Sequence, residues 1–312
     1  MSEVKVLIVF VAFIAERIVR YKSMKFMIRS VLICVCIVAI VGIIELFFTW
    51  NPYFKVESDY NKIMCATIGN PLVFGAYMVI FLPLTLWFLE NTKKFFRVIP
   101  FFLTFFSVIF SFSRIAWISM FCMLFIYFFR KAYFEKIKKR WFVVAVVLAV
   151  IMMPFFARPS FRAIFGHRFN ISELKSMSYL ERVSAYKITW NIFKDHPIMG
   201  VGFGNYPNVY GRYKIETTWP DLITPDNMYL RFLCDTGIVG TSVFFIFIIF
   251  WLHKLWRGRD NTVVWAIFCG LIGFLINQLA ADLMLWAAVQ FAFWMLLGFA
   301  VGTIENECKK NF

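Results

Sequence analysis

TGIVGTSVFFIFIIFWLHKLWR (236–257) decides the fold. Small and polar residues lead into an apolar run, and His253, Lys254 and Arg257 close it. A bilayer crossing takes roughly 20 apolar residues, and a basic edge stays with the anionic cytoplasmic surface. The stretch predicts a membrane span over 237–253. Working outward, runs of the same kind predict spans at 30–50, 71–90, 97–113, 115–129, 141–157, 262–280 and 283–301. The composition agrees: 61% of residues are hydrophobic, 21% aromatic and 16% charged, against roughly 25% charged in a soluble domain. The expected class is an all-α, polytopic integral membrane protein with about eight transmembrane helices. The opening run from Val4 to Ala15 is short for a span and carries no small-residue cleavage site, so it reads as a partial or interfacial helix.

Immediately before the quoted stretch, residues 158–228 break the hydrophobic pattern with charged, aromatic, Gly and Pro residues. Three regions follow: N-terminal spans at 1–157, a long and partly helical external loop at 158–236, and C-terminal spans with a short tail at 237–312. Basic clusters flank the spans: Arg17 to Arg29, Lys93 to Arg97, Arg130 to Arg140, His253 to Arg259, and Lys309 with Lys310. With eight spans all of them share one side, which the positive-inside rule makes cytoplasmic. The long loop is then outside. This distribution also accounts for the net charge of +15. The outer segment holds nine Lys/Arg against six Asp/Glu, too balanced for a nucleic-acid surface, so no nucleic-acid partner is expected.

Of the seven cysteines, Cys34, Cys36, Cys122 and Cys269 fall in spans and read as small hydrophobes. No CxxC pair or Cys/His spacing suits zinc. Cys65 and Cys234 both fall towards the outside, which leaves a disulfide between them open.

Within the loop, Tyr179, Val183, Tyr186, Trp190 and Phe193 recur at helical spacing and predict an apolar stripe. Ser178 with Glu181 reads as a capping box, and His196-Pro197 ends the helix. Arg182 lies beside the stripe, either as a surface residue of a membrane-lying helix or as a ligand-binding one. GVGFGN (200–205) lacks the strand a dinucleotide site requires. Its glycines allow a tight turn. Their N–H groups could also form an anion-binding nest, which would make Gly202, Gly204 and Asn205 substrate contacts. Thr224-Pro225-Asp226-Asn227 reads as a helix start, with Thr224 at the N-cap and Asp226 in the first turn. Arg231 and Asp235 read as a surface i, i+4 pair. Glu45, Arg114 and Asp282 fall at the outer ends of spans. Charges at membrane depth are costly, so they either pair with one another or line an outward-opening chamber.

Several of these patterns, in this order, resemble the O-antigen ligase and O-antigen polymerase superfamily of bacterial envelope proteins. They are Gly69-Asn70-Pro71 opening a span, Ser113-Arg114 after a span, Arg182 on a helix running into HPIMGVGFGN, and Asp226-Asn227 opening a helix that ends in TGIVG. The resemblance covers most of residues 65–240. It implies a metal-independent, inverting glycosyltransferase of the bacterial inner membrane, with no cofactor. The donor is a glycan on undecaprenyl pyrophosphate, and the acceptor is a hydroxyl of another lipid-linked glycan or of lipid A-core. Envelope polysaccharide assembly proteins are possible partners. By the same resemblance Arg114 and Arg182 hold the pyrophosphate and Asp226 serves the acceptor. Asn227, Arg168 and Arg212 are further substrate-binding candidates. Guanidinium forks suit phosphate oxygens, and a carboxylate can accept a hydroxyl proton.

The chain departs from the ligases at Asp226, where they carry His, and this favours a polymerase-like role in which the carboxylate orients the acceptor. Family members also carry more spans ahead of the Gly-Asn-Pro pattern. Two other function classes stay open: a lipid-linked glycan transporter, which would place polar residues near the bilayer midplane, and a non-catalytic scaffold of an envelope assembly complex.

Overall fold

The computed structural model describes residues 11–12, 14–19, 24–48, 64–93, 95–129, 177–214 and 224–310. Among them, every regular element is helical. The principal helices are α1 (Met24–Phe48), α2 (Pro71–Asn91), α3 (Val98–Phe110), α4 (Arg114–Phe129), α5 (Met177–Asp195), α6 (Met228–Arg257), α7 (Thr262–Asn277) and α8 (Ala287–Lys310). The expected spans fall on α1 to α4 and α6 to α8. The span at 141–157, the basic cluster at 130–140 and Arg168 lie outside the described residues. Four helices are long and apolar enough to cross a membrane: Phe26–Leu46 within α1, Pro71–Asn91, Met228–Arg257, and Ala287–Cys308 within α8. α3, α4 and α7 are apolar but shorter, at 13, 16 and 16 residues.

α2 is the centre of the bundle and packs on α1, α3, α4, α7 and α8. Its start follows from three residues. Gly69 takes a left-handed φ of 74°, Asn70 accepts from the N–H groups of Leu72 and Val73, and Pro71 fills the first helical position, where no N–H is needed. Between apolar helices in lipid, association relies on close packing and polar links rather than on hydrophobic exclusion. Gly270 of α7 accordingly sits against the Ile80 carbonyl, and Gly273 against Val79 and Met123. Asn277 donates to Ser119, Trp87 donates to Thr262, and the Thr85 and Thr104 hydroxyls bond each other.

These contacts define two ends. At one, Trp87 meets Thr262, Tyr127 donates to Glu90, and Lys254 pairs with Glu305. Lys93, Arg97, Arg257 and Arg259 belong to the helix termini there. At the other end lie the 65–70 turn, Ser113, Asn227 and Gln278. Ser113 caps α4 by accepting from Ala116 N–H, so Arg114 opens that helix. Glu45 is buried and accepts from the Cys65 and Ala66 N–H groups at 2.7 Å each.

α6 is not one rod. Gly237 adopts φ 61°, ψ −165° inside it, and the two arms, 228–236 and 238–257, turn back on one another. Tyr229 stacks on Phe245 at 5.7 Å, Phe232 stacks on Phe244 at 4.4 Å, and Thr236 meets Thr241. The first arm is thus a short helix folded against the N-terminal half of the longer arm, with its N-terminus pinned to the end of α7. The break itself falls where the predicted span begins.

One expectation is corrected here, and one open question is answered. The predicted aromatic stripe of α5 is not its packing face: Trp190 is 48% exposed, whereas Ala185, Ile188, Thr189 and Ile192 are buried. Ile188 and Ile192 pack with Tyr206 and Cys234, and Tyr186, Trp190 and Phe193 are left partly exposed. Cys65 and Cys234 are separate free thiols, the latter enclosed in that cluster. No disulfide joins them.

Two tests follow from this packing. Burial, reinforced by the charge of Glu45, pushes the Cys65 thiol from the ordinary 9.0 up to about 12. Its maleimide labelling in the folded protein should therefore stay slow through pH 9, and a rise typical of a free thiol would contradict that environment. A Cβ at Gly237 would lie 2.3 Å from the Ile198 carbonyl oxygen, and its φ is left-handed. Gly237→Ala should abolish monodisperse protein on size-exclusion chromatography, whereas Gly211→Ala, with open space around it, should leave it unchanged.

Candidate functional site

The site is assembled by two helix starts and a loop. α5 ends at Asp195, and residues 196–206 dock on the reversal of α6. Ile238 N–H donates to Pro197 O at 2.9 Å and Val239 N–H to Ile198 O at 3.2 Å. In return, Val201 N–H reaches Cys234 O at 3.0 Å and Gly202 N–H reaches Asp235 O at 2.8 Å. Gly200, at φ 66°, leaves no room for a Cβ beside the 234–235 backbone. Docked in this way, α5 carries Arg182 to the start of α6.

There the sequence expectation shifts by three residues. The N-cap is Asn227, whose Oδ1 accepts from Leu230 N–H at 3.1 Å, and not Thr224. Asp226 precedes the helix instead of lying in its first turn. Two tertiary bonds fix this start: Asn227 Nδ2 donates to Leu279 O at 3.0 Å, and Met228 N–H donates to Gln278 O at 3.1 Å. Asp226 takes φ 46°, a left-handed conformation that costs a non-glycine residue about 1–2 kcal/mol. Strain of this sort concentrates where a side chain must be aimed. Thr224 Oγ1 donates to Asp226 Oδ1 at 3.2 Å, and Arg182 Nε lies 3.9 Å from Oδ2.

The neighbouring charges divide by commitment. Arg231 and Asp235 are not the surface pair expected, because both are largely buried. Arg231 Nε bonds Asp235 at 3.3 Å, and its Nη1 bonds Asp282 at 2.5 Å. Asp235 also accepts from Gly204 N–H at 2.9 Å and Tyr206 N–H at 3.1 Å. The glycine loop's exposed-looking donors are therefore used internally. Gly202 and Gly204, at φ 102° and 76°, shape the loop around a carboxylate that belongs to the chain. Asn205 donates to Val201 O and accepts from Asn208. Glu45 and Asp282 likewise have partners within the protein.

The Arg182–Asp226 pair is different. Its side chains are 30% and 49% exposed, and the contact is loose. Such a pair adds about 0–1 kcal/mol to stability and leaves the Nη fork of Arg182 available. Arg114 is exposed at the start of α4, and among the described residues it makes no hydrogen bond or ion pair. It stands about 7.5 Å along the helix from Ser119, which Asn277 contacts one residue before Gln278. Asn227 is thus bonded at the end of α7, Asp226 and Arg182 adjoin it, and Arg114 opens the helix that packs there through Ser119.

Arg212 does not join them. Its neighbour Tyr213 bonds Asp195 at 2.7 Å, about 20 Å along α5 from Arg182. Arg231, unmarked as a site residue by its i, i+4 spacing alone, emerges as the structural keystone; Asp282 nearby was the available signal.

Residues 99–245 match the family model described as O-Antigen ligase. The segment begins in α3, contains Arg114, Arg182 and the glycine loop, and ends just beyond the Gly237 reversal. Over that segment, just under half of its length, the chain is similar to the O-antigen ligase family. The match and the membrane-length helices together suggest a membrane protein with a segment of the O-antigen ligase type. No curated protein matches the chain significantly.

The sorting of charges has a measurable outcome. Arg231→Ala removes the cation from buried Asp235 and should cost about 3–5 kcal/mol, seen as a large drop in melting temperature in detergent. Arg182→Ala should change stability by less than about 1 kcal/mol. The reverse order would contradict the assignment.

Proposed function

We propose that this chain performs inverting, metal-independent glycosyl transfer on the outer face of the cytoplasmic membrane. The donor is a glycan on undecaprenyl pyrophosphate, and the acceptor is a hydroxyl of a second lipid-linked glycan or of lipid A-core. The observation that supports this reading is the loose, half-exposed Arg182–Asp226 pair, with the exposed Arg114 opening α4 at the same end of the bundle, all three within the matched segment. The basic end of the bundle faces the cytoplasm by the positive-inside rule, which puts the site end outside.

The acceptor hydroxyl attacks the donor's anomeric carbon from the face opposite the pyrophosphate. Its proton passes to the Asp226 carboxylate, and the carbon–oxygen bond to the pyrophosphate breaks with its electron pair left on the phosphate oxygen. Charge therefore grows on the leaving group. The free fork of Arg182 and the guanidinium of Arg114 stabilise it by bidentate hydrogen bonds, stronger in the transition state than in the ground state. Asn227 holds the Asp226 backbone in place through Leu279, and the glycine loop sets the height of Arg182 without holding phosphate itself. Arg168 remains a candidate for the donor, and Arg212 for a more distal part of the glycan. A carboxylate in place of histidine supports a polymerase-like reaction, acting with other envelope polysaccharide assembly proteins.

Complementation of a deletion strain tests this. Arg114→Ala, Arg182→Ala and Asp226→Ala, expressed at wild-type levels, should each lower polymerised glycan by about 10²-fold or more, with lipid-linked repeat accumulating on gels. Asp226→His should retain partial function. Normal polymer in all three alanine variants would refute the assignment.

A further inference from the structure

The loop after α5 holds large apolar side chains outward in a fixed position. Ile198 is 65% exposed, Met199 70% and Phe203 69%. Its backbone is clamped to residues 234–239 by the four hydrogen bonds described above, so these side chains cannot withdraw without breaking that docking. Beside them, Ile238 and Val239 are 57% and 43% exposed, and the same arm continues with exposed Val243, Ile246, Ile249 and Phe250. That arm, 238–257, is about 30 Å long at ~1.5 Å per residue, the thickness of the hydrocarbon core. It has Lys254 and Arg257 at its far end, so Gly237 stands at the opposite hydrocarbon boundary. A loop bonded to residues 238 and 239 stands there too.

We infer that Ile198, Met199 and Phe203 insert into the adjoining leaflet of the same bilayer, making the 196–204 loop an interfacial anchor. The occupant is lipid, because the patch is continuous with the lipid-facing side of α6 and lies level with its end. Apolar and aromatic side chains at this depth partition into the interface. The anchor fixes the height of α5, and with it the level at which Arg182 meets a membrane-borne ligand. The inference rests on α6 crossing the membrane, and not on glycosyl transfer.

The test uses the full-length protein in nanodiscs of phosphatidylethanolamine and phosphatidylglycerol, with a genetically encoded fluorescent side chain at Met199 or, as a reference, at exposed Arg212. Nitroxide lipids labelled near the acyl carbonyl should quench position 199 several-fold more than position 212, and aqueous iodide should do the opposite. Equal iodide quenching at the two positions, or protection of 199 from both quenchers, would overturn the proposal; protection from both would mean a protein covers the patch. Neither reading requires turnover, so an inactive preparation tests it equally well.

Discussion

Everything at the Asn227 end of this bundle depends on the close backbone contact between Gly237 and the 198–200 segment. A helix that continued straight through residue 237 would carry residues 226–236 away from the bundle. The reversal instead lays 228–236 against the spanning arm, through Tyr229 on Phe245 and Phe232 on Phe244, and presents its start to the end of α7. The same vertex receives the loop that carries α5. One glycine conformation therefore places Asp226 from one side and Arg182 from the other. The left-handed φ and the absence of a Cβ are both required, since the Ile198 carbonyl occupies the space a Cβ would need.

Charge then separates architecture from chemistry. Arg231, Asp235 and Asp282 form a buried chain whose hydrogen bonds extend into the glycine loop, and such a chain is costly to break. Arg182, Asp226 and Arg114 form no comparable chain. They stay solvent-accessible at an end whose other charges are buried and paired, where a pyrophosphate would meet cations with little internal demand on them. Asp226 itself is held in a left-handed backbone conformation by a cap that starts one residue later, so its carboxylate is aimed by the fold rather than by the helix dipole.

Much of this is legible in the sequence, for local reasons. Gly-Asn-Pro, Ser113 before Arg114, and the Gly237 break are governed by φ preferences and capping, which neighbouring residues determine. The helix start at 224–228 was misplaced because Thr224 and Asn227 are both good caps, and the choice was made by Leu279 and Gln278, more than fifty residues away. The packing face of α5 was misread for a related reason: aromatic spacing marks an apolar face but not which apolar face has a partner. The commitment of the glycine loop's N–H groups to Asp235 is likewise a long-range fact. So is the contrast between a buried Arg231 and an available Arg182, which the sequence presents as similar arginines on similar helices.

The central proposal is that Arg182, only loosely paired with Asp226, is a pyrophosphate ligand positioned by the Gly237 reversal. It is tested most directly by the affinity of undecaprenyl pyrophosphate for the wild-type protein, Arg182→Lys and Arg182→Ala in nanodiscs. The account predicts a graded loss, modest for lysine, which keeps the charge without the fork, and about tenfold or more for alanine. Equal affinity in all three folded proteins would contradict it.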